Sequence, residues 1–332
     1  MFEKLIQVRD EIGDQGKVII SAISLVLLIM FGLMFYWDSE PDLFDVGTES
    51  LETKVVGQVY TETLIKVGET LLGKRGGYLS NDVMPPSVFM DNIPNWEYGV
   101  LVMLRDGSGA LRNHFSRSQS QSVENKHLSE AEPRFNFQND SWILPSTEGE
   151  YRDGLKELRG YNESLADQKE MDGQFFARAD NLVSYLVIIE KRLGSLSQRL
   201  SASVGQLRDN TDLAGESEAK QSTETSRVFV AKTDWMETDD VFYEARGTSW
   251  ALYHLLKAIE IDFDGILKKK NARPSLHQII RELEATQESV SSPMVLNGRG
   301  FGITANYSLI MANYISRANA AMIDLRNLLE RG

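Results

Sequence analysis

Cysteine is absent from the 332 residues. That excludes a disulfide scaffold, thiol catalysis and cysteine-held metal, although it identifies no compartment. Histidine is nearly as scarce. His114, His127, His254 and His277 show neither H-x-x-x-H nor H-E-x-x-H spacing, so no zinc site is legible. Basic residues are outnumbered, 35 against 48 acidic, for a net charge of -13, which argues against a nucleic-acid footprint or docking on anionic lipid. The serines of SRSQSQS lack a G-x-S-x-G elbow. No cofactor is expected.

What is present begins with VIISAISLVLLIMFGLMFYW, residues 18–37, which carries no charge. At about 1.5 Å per helical residue it is roughly 30 Å long, enough to cross a bilayer's hydrocarbon core. A cleaved signal peptide is the rival reading, but its apolar core runs about 7–15 residues and ends in small side chains. This stretch is longer and ends Phe35-Tyr36-Trp37, as an interfacial aromatic belt does. Lys4, Arg9 and Lys17 precede it, and no basic residue follows until Lys54. The positive-inside rule therefore predicts a cytoplasmic N-terminus and an external body, periplasmic in a cell with two membranes.

The predicted organisation is a cytoplasmic tail over 1–17, a transmembrane helix over 18–37, an acidic linker over 38–48 that lifts the body off the membrane, and a body over 49–332. A body of that length buries about 75% of its unfolded surface and needs no disulfides. Val56, Tyr60, Leu64, Val67 and Leu71 have helical spacing, ended by Gly73, Gly76 and Gly77. Residues 96–104 are apolar enough for a buried strand or helix, and helix is favoured because few strands exist to pair with it. Ser146 offers an N-cap for a further helix. Steps of four and three run from Phe175 through Leu186, Leu193 and Leu200 to Leu207, predicting a helix of roughly 50 Å that forms a bundle seam or a coiled-coil dimer seam. Residues 208–226 read as a polar crossover. Similar rows start at Phe242 and at Tyr307. The fold class expected is all-α, a single transmembrane helix followed by a long-helix bundle.

Two segments could carry binding chemistry. In NGRGFG, Gly298, Gly300 and Gly302 precede a helix and make a candidate anion site. The strand and G-x-G-x-x-G spacing of a dinucleotide site are missing, and a flexible turn explains the glycines as well. In DDVFYEARGTSWALYHLLK, a row at helical spacing holds Tyr243, Arg246, Trp250 and Tyr253. Facing a groove, Arg246 would grip a carboxylate or phosphate while the rings stack on a ligand. Facing inward, it would pair with Glu244 or Asp239, with the rings in the core. Asp239/Asp240 and Asp262/Asp264 are candidate acid–base pairs, with capping or solvation as the competing explanation.

The strings GGYLSND, NWEYGVL, SRSQSQS, DDVFYEARGTSWAL and SPMVLNGRG together resemble a family of uncharacterised proteobacterial envelope proteins, a domain of unknown function. The resemblance covers nearly the whole chain. It implies a Gram-negative inner-membrane protein and brings no activity or site with it. The function expected is non-enzymatic binding of another envelope component, protein or lipid, by the tethered bundle. A hydrolase or lyase acting on peptidoglycan or lipid, with Asp239, Asp240 or Glu244 as base, is the alternative. Self-assembly through 175–207 is a third.

Overall fold

The computed structural model describes residues 2–47, 55–118, 124–167, 173–209, 228–290, 295 and 307–331, with side chains described from residue 16 onward. Ten α-helices are found among these residues. The expected all-α class holds. The one addition is a two-stranded antiparallel ribbon, β1 (Gln206–Asp209) with β2 (Val228–Ala231), in which Gln206 faces Ala231.

Helix α1 runs unbroken over Phe2–Trp37. The expected tail is thus part of the same helix as the apolar stretch. No proline interrupts residues 2–17, and a helix already nucleated extends by one hydrogen bond per residue. Gly16–Trp37 is long and apolar enough to cross a membrane, and none of its most apolar window is buried against the body. An N-terminal helix of this kind serves either as a membrane span or as a signal sequence.

The body is built around α3 (Asn92–Ala110) and α7 (Thr238–Asp262), which share the broadest helix contact. Residues 96–104 are helical. Trp96, Val100, Leu101, Met103 and Leu104 are all buried, the all-round burial that hides a helical period in sequence. The two helices cross where each carries a glycine. A Cβ on Gly99 would overlap the carbonyl oxygen of Glu244, and one on Gly247 would overlap that of Trp96. Only hydrogen side chains allow this approach.

Around that pair lie α2 (Gln58–Gly73), α4 (Lys126–Phe135), α5 (Thr147–Ala166), α6 (Ala179–Ser201), the short α8 (Asp264–Lys269), α9 (Arg273–Ala285) and α10 (Tyr307–Glu330). Ser146 caps α5 by accepting the Gly149 N–H at 3.2 Å. The 175–207 heptad corresponds to 23 helical residues, about 35 Å rather than 50 Å. Phe175 lies before the helix, and Leu207 is exposed in β1. The central row Leu182, Leu186, Ile189, Leu193, Leu196 and Leu200 is buried. Helix α10 supplies most of the cover, so the seam is internal to one chain.

Candidate functional site

Helix α7 holds the predicted row because nothing between Thr238 and Asp262 breaks a helix. Its environment differs from an open groove. Arg246 is only 6% exposed, and Trp250 and Tyr253 are buried; Tyr243 is partly buried. Tyr243 is pushed up to about 12 by burial and then by the carboxylates of Glu40 and Asp38.

The cover comes from residues 38–46, the expected linker. Arg246 Nε donates to both oxygens of Glu40 at 2.8 Å, and Nη2 donates to Oε2 at 2.6 Å. Its Nη1 reaches the carbonyls of Thr286 and Glu288 at 2.8 and 2.9 Å. Trp250 Nε1 donates to the Asp42 carbonyl at 3.3 Å. Phe44 stacks on His254 at 3.7 Å between centroids and 16° between planes. The Phe44 N–H donates to His254 Nε2 at 3.0 Å, and His254 Nδ1 donates to the Trp250 carbonyl at 2.7 Å. These partners require the neutral Nδ1–H tautomer. Burial, followed by Lys66 and Lys257, lowers the His254 pKa to about 4.

Residues 38–46 are therefore a strap along α7, not a spacer that lifts the body away. The expected internal partners of Arg246 are corrected as well. Glu244, two residues away, points to another side of the helix and takes Arg199 of α6 at 2.7 and 2.5 Å. Glu40 fills the place that Glu244 or Asp239 was expected to take.

A second buried centre was not legible in sequence. Lys74 and Glu97 form an ion pair at 2.7 Å with both side chains almost wholly buried. Glu97 also accepts the N–H groups of Leu79 and Ser80 at 2.9 and 2.8 Å and the Ser80 hydroxyl at 2.5 Å. Burial is the largest influence on Glu97 and raises its pKa, although these partners oppose it. This centre ties the turn carrying GGYLSND to the helix carrying NWEYGVL.

The acidic pairs have separate roles. Asp262 accepts the Tyr60 N–H at 2.7 Å in the first turn of α2, and Asp264 pairs with Lys268 and Arg273. Asp240 accepts from Asn95 Nδ2 at 2.8 Å; burial and then Asp239 raise its pKa to about 6. Arg246, engaged by Glu40 and two carbonyls, is not available to hold a substrate beside it. Gly298, Gly300 and Gly302 lie outside the described residues. Among the described residues, no group of three or more His, Asp or Glu is arranged to hold a metal.

An open groove of about 450 Å³ lies between α3, α6 and α7. Val102 and Leu196 contribute apolar surface, with Tyr98, Lys191, Arg192 and Arg199 also lining it. Arg192 grips Asp106 at 2.8 and 3.1 Å. Sequence reading missed this groove because its residues come from three separate helices.

The chain belongs to the bacterial family described as "uncharacterized protein conserved in bacteria" (DUF2333), which matches residues 13–332. No curated protein and no solved structure matches it.

Proposed function

We propose that this is a single-pass inner-membrane protein with a cytoplasmic N-terminus, whose periplasmic helical body binds another envelope protein without catalysing a reaction. Three features support the topology: the length and exposure of Gly16–Trp37, the Lys4, Arg9 and Lys17 flank before it, and the lack of any basic residue after it until Lys54. The observation that carries the binding role is the open groove between α3, α6 and α7, because the docking of residues 38–46 on α7 consumes the Arg246 flank internally.

Binding then falls to the groove between α3, α6 and α7. Its apolar and charged lining suits an amphipathic segment of a protein partner. Crosslinking in intact cells followed by purification should recover a specific protein with the wild type and lose it with Tyr98→Ala combined with Lys191→Glu. Equal recovery by the double variant would remove the groove from the proposal.

A further inference from the structure

We infer that two apolar loops beside the end of α1 form a second membrane contact, seated in the apolar interface of the leaflet where α1 emerges. This rests on the reading of α1 as a membrane span.

The first loop contains Val83, Met84, Val88 and Phe89, each at least half exposed. Scattered apolar residues are ordinary on a surface, but these four fall within seven positions and their last, Phe89, lies beside α1. Phe89 and Met90 line one cleft with Phe31, Met34 and Phe35 of α1. Phe31 lies six residues before Trp37, or about 9 Å down the helix axis. With Tyr36 and Trp37 at the interface, the Phe31 end of the cleft falls level with lipid, while Asp38, Asp91 and Asn92 line its end toward water. The body is pressed to the same end of α1 elsewhere. A Cβ on Gly76 would come within 2.8 Å of the Trp37 ring, and the Arg75 guanidinium lies 5.3 Å from the Tyr36 ring centroid while donating to the Ser39 hydroxyl.

The loop's own hydrogen bonding suits an apolar medium, where an unpaired backbone group is costly. Pro85 and Pro86 carry no N–H. Val88, Phe89 and Met90 donate theirs to the carbonyls of Met84, Pro86 and Ser87, and the Ser87 hydroxyl donates to the Met84 carbonyl.

The second loop exposes Trp142, Ile143 and Leu144. It is fixed beside the first, because Asn81 Nδ2 donates to the Ser141 carbonyl and the Tyr78 hydroxyl to the Asn139 carbonyl, both at 2.9 Å. Asp82, Asp91 and Asp140 flank the two loops. Their charge would repel anionic headgroups, so the occupant is the apolar boundary of the bilayer and not a negatively charged lipid.

The cysteine-free chain allows single labels. The full chain is reconstituted in phosphatidylcholine vesicles, with and without phosphatidylglycerol. A nitrobenzoxadiazole label is placed in turn at Leu28→Cys in α1, Phe89→Cys, Ile143→Cys, and Asn113→Cys, which is about 30 Å along α3 and its following turn from Asn92. Lipids bearing a nitroxide on the acyl chain should quench the first three by roughly twofold or more, as expected for loop sites about 5–10 Å into the boundary and for Leu28 about 13 Å below Trp37, and leave Asn113→Cys unchanged, with or without the anionic lipid. Quenching at Leu28→Cys with either loop label behaving like Asn113→Cys would overturn the loop contact and leave the span intact. An unquenched Leu28→Cys would overturn the span and the loop contact with it. Loop quenching that requires phosphatidylglycerol would overturn the apolar mode. All four positions lie on exposed surface, and circular dichroism checks that each labelled variant retains its helix content.

Discussion

Arg246 and Glu40 stand 206 positions apart in sequence and meet with Nη2 2.6 Å from Oε2. This ion pair is largely buried, with 7% of the arginine and 15% of the glutamate side chain exposed. It joins the segment leaving α1 to the central helix of the body and turns a tether into a fixed mount.

Removing one partner should expose what the pair does. Glu40→Ala leaves the guanidinium buried with only two carbonyls, and loss of one partner of a buried pair costs about 3–5 kcal/mol. Denaturant unfolding of the purified protein should register a loss near the lower bound. The combination Glu40→Ala with Arg246→Met should recover much of it, because the stranded charge is gone. A double variant no more stable than Glu40→Ala alone would contradict this account.

The glycine crossing makes a sharper contrast. Gly247→Ala pushes a methyl group into the Trp96 carbonyl, and overpacking of two rigid helices should cost about 3 kcal/mol or more. Gly109→Ala, in the same α3 but with open space around its Cβ, should instead stabilise by up to about 1 kcal/mol through helix propensity. Thermal unfolding of both variants tests the pair together.

Stability should depend on pH through His254. Its folded pKa of about 4 lies below its ordinary value near 6.5, so the unfolded chain binds the proton more readily. The stability held above pH 6.5 is therefore lost as pH falls toward 4, by up to about 3 kcal/mol. Asp240 acts in the opposite direction. Raised to about 6, it favours the folded state at low pH and loses that contribution as pH rises toward 6. Asp240→Asn should thus steepen the acid-side decline, and His254→Phe should flatten it. Unfolding midpoints between pH 4 and 7 measure both slopes.

The α6 seam predicts fold stability rather than assembly. Leu193 is fully buried in the chain, and Leu193→Ala should cost about 2–5 kcal/mol. Light scattering should find the oligomeric state of the folded variant unchanged. A change of oligomeric state with stability retained would restore the dimer-seam reading.

Much of the architecture follows from local pattern. The spacing of Tyr60, Leu64, Val67 and Leu71, the Ser146 cap and the row of Leu186, Leu193 and Leu200 each concern residues a turn or two apart, where period and capping act directly. The heptad spacing also takes in Phe175 and Leu207, which lie outside the helix. A four-three spacing continues in sequence whether or not the backbone remains helical. The ribbon is not legible in sequence, since two strands of four residues leave little periodic signal.

The candidate site depended on distant parts of the chain. The sequence by itself determined that a long uncharged helix precedes an acidic, cysteine-free helical body, and that one flank of α7 gathers an arginine with aromatic rings. Only the tertiary structure decided that Glu40, Asp42 and Phe44 cover that flank, that Lys74 meets Glu97, and that Phe89 and Met90 lie beside Phe31 and Phe35. Helical period is set by hydrogen bonds four residues apart, whereas those partners are chosen by which faces meet when separate helices exclude water.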